Sequence, residues 1–367
     1  MKVSIGSKII DGPWGGGNLF VKNMSEFLLK NGHEVIYDLS ETNIDLILLT
    51  DPRSRKESSS TFNHIEILNY KNKVNQDVVV LQRINECDER KGTRNINELY
   101  LNASKSADHV IFVSSWLRDI YLDLGLNYKK TSVVLAGANK EIFNKDNRKV
   151  WNKESKLKLV THHWSNHENK GFDIYKQIDD LLGNKKWKEK IEFSYIGNMN
   201  ENFEFKNSNI YEPIDGTNLA SLIKKHHVYI TASINEPSGN HHIEAAQCGL
   251  PIIYRNSGGI PEYCENYGVE LNENIEETLN YVLENYEYLK NKMMQYPNDS
   301  EKMCQEFYEI FNELVSIKDN NRSKREFSFP GLIFILKYKF LKIFRDVLYI
   351  KIKNIIYLIF KKGIKNG

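Results

Sequence analysis

Apolar residues fall in two alternating patterns along the chain. Short β-branched runs at 3–5, 35–37, 44–50, 78–81, 109–113 and 132–135 are separated by longer stretches in which apolar residues recur every three or four positions. The runs predict strands and the longer stretches predict amphipathic helices, one of them at 19–30. A charged segment rich in Asn and Lys, 144–155, has no apolar periodicity, and beyond it the series resumes. Strands are expected at 157–161, 191–196, 228–231 and 251–254, with helices near 172–182, 218–225 and 242–247 and another over 300–317. Strands alternating with helices predict βαβ units and a mostly parallel sheet, so the fold class is α/β. Two such series joined by one linker predict two Rossmann-like domains facing a cleft: 1–148, and 149–317 with a closing helix at 300–317. The remainder, 318–367, is read as a linker and tail.

Composition supports real cores and narrows the class. Of 367 residues, 41% are hydrophobic and 27% charged, which excludes a disordered or fibrous chain. Four cysteines, Cys87, Cys248, Cys264 and Cys304, lie far apart without a Cys-x-x-Cys pair, as expected of reduced thiols in a cytoplasmic protein. Residues 1–11 lack the apolar core of a signal peptide. The net charge of +2 conceals a division: 331–367 carries nine Lys or Arg against one acid, Asp346, while the rest holds 41 basic against 47 acidic residues. A mildly acidic body disfavours nucleic acid as a partner.

The basic tail needs its own account. Its apolar runs span only five or six residues, as at 332–336 and 355–360, well short of the roughly 20 that cross a bilayer. On a helix, Lys339, Lys342, Arg345, Asp346 and Lys353 share one sector, and apolar residues fill most of the rest. The expectation is a basic amphipathic helix over 331–360 on an anionic membrane surface, which makes the protein peripheral on the inner face of the cytoplasmic membrane. The plainer alternative is a helix packed on the body or in a dimer seam.

Chemistry concentrates at 235–263, reading NEPSGNHHIEAAQCGLPIIYRNSGGIPEY. After an apolar strand the chain turns through Pro237-Ser238-Gly239 and opens a small-residue helix near Asn240. Amides at such a helix start, with no Cβ at Gly239 to obstruct approach, suit a diphosphate. Glu236 precedes the helix and Glu244 lies one turn inside it, where carboxylates can accept sugar hydroxyls. Ser257-Gly258-Gly259 forms another loop at a strand's carboxyl end, where open α/β sheets bind ligands.

Paired histidines at 162–163, 226–227 and 241–242 do not make a metal site, because adjacent residues face different ways. His241 is read as a neutral group at the phosphate end of the helix, and His226-His227 as closing a surface helix. Asp-x-Asp, a metal-holding motif, does not occur; neither half carries Gly-x-Gly-x-x-Gly after a strand, which weakens a nicotinamide dehydrogenase reading.

These residues resemble the retaining family 4 glycosyltransferases of the GT-B fold (glycosyl transferases group 1). Glu236 and Glu244 match the Glu-x7-Glu hallmark; Gly249-Leu250-Pro251 and Gly258-Gly259-Ile260-Pro261-Glu262 match the strand and loop that follow it. Gly15-Gly16-Gly17 resembles the family's glycine loop beside the donor diphosphate, and Lys170-Gly171-Phe172 its phosphate-pairing Lys-Gly. Residues 107–109, 114–117, 136–139 and Phe143 resemble the end of the family's first domain. Three positions depart: Ser165 stands where many members have an Arg, Gln82-Arg83-Ile84-Asn85-Glu86 where many have a His near the reacting sugar, and Pro237 where Gly is usual.

The resemblance implies a metal-independent, cofactor-free enzyme that moves a sugar, with retention, from a nucleotide-diphosphate sugar to a glycan or lipid-linked acceptor in cell-surface polysaccharide biosynthesis. It implies Glu236 and Lys170 as catalytic residues. Donor-binding positions would be Gly16, Gly17, Lys170, Gly239, Asn240, His241, Glu244, Gly258 and Gly259, with Arg83 or Asn85 on the acceptor or sugar side. Two other classes fit the same residues: a non-catalytic nucleotide-sugar-binding partner of a glycan assembly complex, and a GT-B-like sugar-nucleotide epimerase.

Overall fold

A computed structural model describes residues 1–10, 12, 15–53, 58–201, 203–319 and 329–340. The first lobe runs β1 (Lys2–Ile5), α1 (Gly16–Lys30), β2 (Glu34–Ile36), β3 (Leu46–Leu49), α2 (His64–Lys73), β4 (Val79–Ile84), α3 (Ile96–Ser104), β5 (His109–Phe112), α4 (Ser115–Asp123) and β6 (Thr131–Val133). Its six strands are parallel in the order β2-β1-β3-β4-β5-β6. Every residue of β3 and β4 is buried, as a parallel sheet covered by helices on both faces requires. Two of those buried residues are polar, Gln82 and Arg83.

The second lobe runs β7 (Leu157–His163), α5 (Phe172–Leu182), α6 (Lys185–Lys188), β8 (Ile191–Gly197), β9 (Asn209–Tyr211), α7 (Gly216–Ile223), β10 (Val228–Thr231), α8 (Asn240–Gln247), β11 (Ile252–Tyr254), α9 (Ile260–Cys264), β12 (Val269–Glu270) and α10 (Ile275–Met293). Its strands are also parallel, in the order β12-β11-β10-β7-β8-β9. Counted from β7, this is the Rossmann order, and the strand order reverses between β7 and β10. In the first lobe the reversal lies between β1 and β3. Open sheets bind ligands at such switch points, so the loops after β1, β7 and β10 are the ones that matter.

Several expectations change on contact with the fold. The segment 144–155 is indeed without helix or strand, but it is pinned to the second lobe: Trp151 is buried against Tyr286, its Nε1–H donates to Ser155 O, and Arg148 bonds Gly249 O. The helix expected to close the second domain, α11 (Ser300–Asp319), packs along α1 of the first lobe. Phe307 sits 5.1 Å from Phe20 and Tyr308 5.9 Å from Phe27, because the apolar face of α11 matches the buried face of α1. Truncating a core Phe of this kind costs about 3–5 kcal/mol. Strands β9 and β12 and helix α10 lie outside the expected elements, although apolar positions 275, 279, 282, 286, 289 and 293 give α10 a buried face at helical spacing.

Direct contacts tie the lobes together. Glu262 of α9 accepts hydrogen bonds from the Ser115 and Trp116 amides at the start of α4, at 2.8 and 3.0 Å. An anion at a helix N-terminus is stabilised by the amides and by the helix dipole. Tyr263 Oη donates to Val113 O at 2.5 Å and accepts from Ala136 N at 2.9 Å.

Residues 329–340 are helical and lie on the first lobe, with Ile335 and Tyr338 buried and Phe334 stacked edge-on against Tyr70 of α2. Phe329, Leu332, Ile333, Leu336 and Phe340 remain exposed on this helix. The other positions of the expected charged sector, Lys342, Arg345, Asp346 and Lys353, lie outside the described residues. No helix among the described residues is long and apolar enough to cross a membrane.

Candidate active site

The helix expected after Pro237-Ser238-Gly239 is α8, and all of it except Asn240 is buried. Its dipole is therefore little screened, and its first residue, Asn240, lies against Gly16 of the first lobe. The turn before it is tightly specified. Gly239 has φ +77°, and a Cβ there would lie 2.8 Å from the His241 ring and 2.9 Å from that of His242. His242 Nε2–H donates to Ser238 O at 2.6 Å and fixes the turn from below.

Opposite stands α1. Gly16 and Gly17 prove to be its first residues rather than a preceding loop, with Gly15 as the cap. A Cβ on Gly16 would come within 2.8 Å of Asn240 Oδ1, whereas nothing lies within 4 Å of the corresponding position on Gly17. Two helix N-termini, each at its own sheet's switch point, thus face each other across the groove.

Lys170 reaches the same place from the end of β7. Gly171, at φ +92°, would collide with the Ala232 backbone if it carried a Cβ, so the Lys-Gly turn packs directly on the start of the loop after β10. Lys170 Nζ bonds Glu236 Oε2, and both side chains are buried. Burial lowers the Lys170 pKa, with Glu236 opposing that shift. Burial by itself would raise the Glu236 pKa, but Arg90 and Lys170 hold it down to about 2.

Glu244 is buried one turn inside α8, and its Oε2 meets His162 Nε2 at 2.9 Å. The His241 side chain turns away from the groove, its Nε2 bonded to Thr231 Oγ1 at 2.8 Å, so its backbone amide is the group left at the helix start. Burial drives the His241 pKa well below the usual value and keeps the ring neutral. The histidines that are adjacent in sequence do point differently, yet His162, His163, His241 and His242 from two elements converge, with the His163 and His241 rings 4.6 Å apart. Among the described residues no group of three or more His, Cys, Asp or Glu is placed to hold a metal ion.

Other expected site residues have different surroundings. Gly258 and Gly259 form a support under Glu236. A Cβ on Gly258 would lie 2.5 Å from Glu236 O, and Gly259 N–H donates to Glu236 O at 2.9 Å. A Cβ on Gly259 would also strike Ser114 of the first lobe at 2.6 Å, so this loop is held between the lobes. Arg83 is buried in β4 with its guanidinium 4.1 Å from the centre of the Phe20 ring, and burial lowers its pKa to about 10. Asn85, just beyond β4, is half-buried. His226 and His227 are both buried rather than closing a surface helix: His226 Nε2 meets Ser194 Oγ at 2.9 Å, and His227 Nδ1 accepts from Lys158 N at 3.0 Å. They seal α7 onto the sheet.

One participant carried no sequence signal. Arg90 lies in the polar run after β4, in the first lobe, yet its Nε stands 3.3 Å from Glu236 Oε1 and its Nη1 donates to Glu86 Oε2 at 3.1 Å.

The two-lobed arrangement of parallel sheets is the GT-B fold. Residues 181–298 match the family model described as glycosyl transferases group 1. Among solved structures, a glycosyltransferase from Rickettsia africae superposes with a TM-score of 0.63 at 15% identity, covering 86% of this chain and 98% of that one. Anabaena HepE in complex with UDP and glucose superposes with a TM-score of 0.61 at 12% identity, covering 85% and 99%. A sucrose-phosphate synthase from Thermosynechococcus elongatus gives 0.59 at 15% identity, covering 86% and 99%. A search of curated protein sequences finds no match. The resemblance to group 1 glycosyltransferases therefore rests on the family model over 181–298 and on the fold over most of the chain.

Proposed function

We propose that this chain is a retaining glycosyltransferase that moves a sugar from a nucleotide-diphosphate sugar to a glycan or lipid-linked acceptor in cell-surface polysaccharide biosynthesis. The observation that carries the reading is the meeting of the α8 N-terminus, the α1 N-terminus and buried Lys170 at facing switch points, beside a carboxylate pair. A departing diphosphate is the anion such a place suits: preorganised amides and a cation stabilise charge as it develops on the leaving phosphate. In this reading Lys170 and the amides at 239–241 bind the diphosphate, Gly16 and Gly17 let it lie against α1, and Glu244 accepts from the nucleotide ribose. Glu236 lies beside the donor sugar, and Gly258-Gly259 keeps it there. The reaction is taken as metal-independent, with the leaving phosphate helping to deprotonate the acceptor hydroxyl from the same face. HepE was solved with UDP and glucose, which supports a nucleotide sugar as the donor here.

The exposed apolar residues of 329–340, next to the exposed Lys337 and Lys339, support a peripheral position on an anionic leaflet, where a lipid-linked acceptor would be met.

The test is a panel of nucleotide sugars screened by thermal shift, followed by measurement of nucleoside diphosphate release and of the anomeric configuration of the product. A ligand that binds the native state raises the melting temperature by linkage. The reading expects one donor class to stabilise the protein and to be turned over with retention. Absence of both stabilisation and release across the panel contradicts it.

A further inference from the structure

The cation that pairs with the outer oxygen of Glu236 comes from the other lobe. Arg90 ends a short turn (Asp88–Arg90) that follows β4. This turn is docked on the second lobe through backbone contacts as well: Asn169 Nδ2 donates to Arg90 O at 3.0 Å, and Asn235 Nδ2 donates to Glu89 O at 3.1 Å. These asparagines flank Lys170 and Glu236 in sequence, so the loops after β7 and β10 both grip the turn that carries Arg90.

Within that contact the charges balance, but the hydrogen bonds do not close. Lys170 and Arg90 each approach a different oxygen of Glu236, and Arg90 also holds Glu86. The Arg90 Nε–H, although ion-paired with Glu236 Oε1 at 3.3 Å, is outside hydrogen-bond geometry and has no hydrogen-bond partner among the described residues. Glu86 is more than nine-tenths buried, and its Oε1 likewise has no partner among the described residues. A buried donor and acceptor left unmade cost about 1–3 kcal/mol each, so the pair favours a polar partner that the surrounding side chains do not supply.

We propose that Arg90 is the second cation of the diphosphate site, supplied by the opposite lobe, and that it exchanges its Glu236 partner for the donor's phosphate when the donor enters. The inference rests on the nucleotide-sugar reading and adds to it. An anion drawn to Lys170 comes within one carboxylate's width of Arg90, and a guanidinium can engage a phosphate through two parallel N–H donors. The exchange frees Glu236 from one of its two cations, so that carboxylate becomes a better acceptor for a sugar hydroxyl. Glu86 is a positioning residue: it holds the guanidinium at the groove in the absence of donor. Since Arg90 rides on the first lobe, binding of a diphosphate also ties the lobes together.

The test is titration calorimetry of the full chain with UDP, GDP, ADP and CDP, and with the monophosphate of whichever base binds. Wild type, Arg90→Ala, Arg90→Lys and Glu86→Gln are compared, and thermal unfolding confirms that each variant is folded. A lost charge-assisted contact corresponds to roughly tenfold to hundredfold in affinity. Arg90→Ala is expected to weaken the diphosphate by that factor while changing the monophosphate less than about threefold, and Arg90→Lys is expected to restore part of the difference. Glu86→Gln is expected to alter the diphosphate affinity and leave the monophosphate unchanged. Equal diphosphate-to-monophosphate ratios in wild type and a folded Arg90→Ala overturn the Arg90 assignment and leave the nucleotide reading standing. A wild type that binds none of the four diphosphates removes the nucleotide reading and the assignment with it.

Discussion

Gly16 and Asn240 touch across the groove: a methyl group on Gly16 would lie 2.8 Å from Asn240 Oδ1, although one residue opens a helix of the first lobe and the other a helix of the second. The contact measures how closely the two helix N-termini approach. Gly16→Ala is thus expected to change stability by no more than about 1 kcal/mol, because Ala favours the helix while Asn240 must shift. Donor affinity is expected to fall about tenfold, read by calorimetry. Wild-type affinity in the variant contradicts a diphosphate seated between these helices.

The two glutamates are expected to separate kinetically. In the proposed reaction buried Glu236, bonded to Lys170, would act in turnover, and Glu244, bonded to His162 inside α8, in nucleotide binding. Glu236→Ala is expected to lower kcat by about 10²–10³ with a smaller effect on KM, whereas Glu244→Ala is expected mainly to raise KM. Steady-state kinetics on the donor identified by screening checks the split, and the reverse pattern contradicts it.

Stability is expected to fall on acidification from about pH 6.5. Burial lowers the pKa of His163, His226, His227, His241 and His242, with His227 and His242 brought to about 4. Between 4 and the unfolded value of 6.5 the unfolded chain binds more protons than the native one, so these groups stabilise the fold above 6.5 and lose that effect as pH drops. In that window His227 and His242 each contribute up to about 1.4 kcal/mol per pH unit. Glu236, lowered to about 2 from 4.5, adds a second loss only below about pH 4.5. Urea midpoints at pH 7.5, 6 and 5 test the sign; a midpoint that holds or rises toward pH 5 contradicts the burial of neutral histidines.

Glu262 joins the lobes through two amides of α4. Replacing it by Ala leaves both amides open at a helix start and is expected to cost about 1.5–3 kcal/mol, seen as a lower urea midpoint. Donor affinity should change less, because the Glu262 carboxylate bonds α4 amides and none of the groups proposed to hold the donor.

For the tail, Ile333→Asp with Leu336→Asp alters two exposed positions of 329–340, whereas Ile335→Ala empties a buried one. The double variant is expected to lose binding to anionic vesicles at unchanged stability, and Ile335→Ala is expected to loosen the helix from the body. Vesicle cosedimentation at low salt reads the first, and full retention of binding by the double variant contradicts the membrane proposal.

Much of this molecule is legible in its sequence because parallel sheets impose a strong local signature. The runs at 44–50 and 78–81 are nearly all apolar since both faces of β3 and β4 are covered. The turn at 237–239 and the Lys170-Gly171 pair are readable because positive φ and close backbone approach require glycine at fixed places. Relations between distant elements left no such trace. Arg90 sits in a polar run with no periodicity, and its partner is Glu236, far along the chain. The side chains of His226 and His227 look like surface residues until Ser194 and Lys158 are brought beneath them by the sheet. Gly258 and Gly259 are signalled as a loop, but their service as a rest for the Glu236 backbone follows from β10 and β11 lying side by side. The partner of α11 is fixed by tertiary packing on α1, which its amphipathic pattern does not name.

A crystal structure of the protein with the nucleoside diphosphate that binds it most tightly tests the central claim most directly. The account expects the β-phosphate at the amides of 239–241, within hydrogen-bond reach of Lys170 Nζ, with the Lys170–Glu236 bond loosened or broken. A diphosphate bound away from the α8 N-terminus, with Lys170 still closed on Glu236, contradicts it.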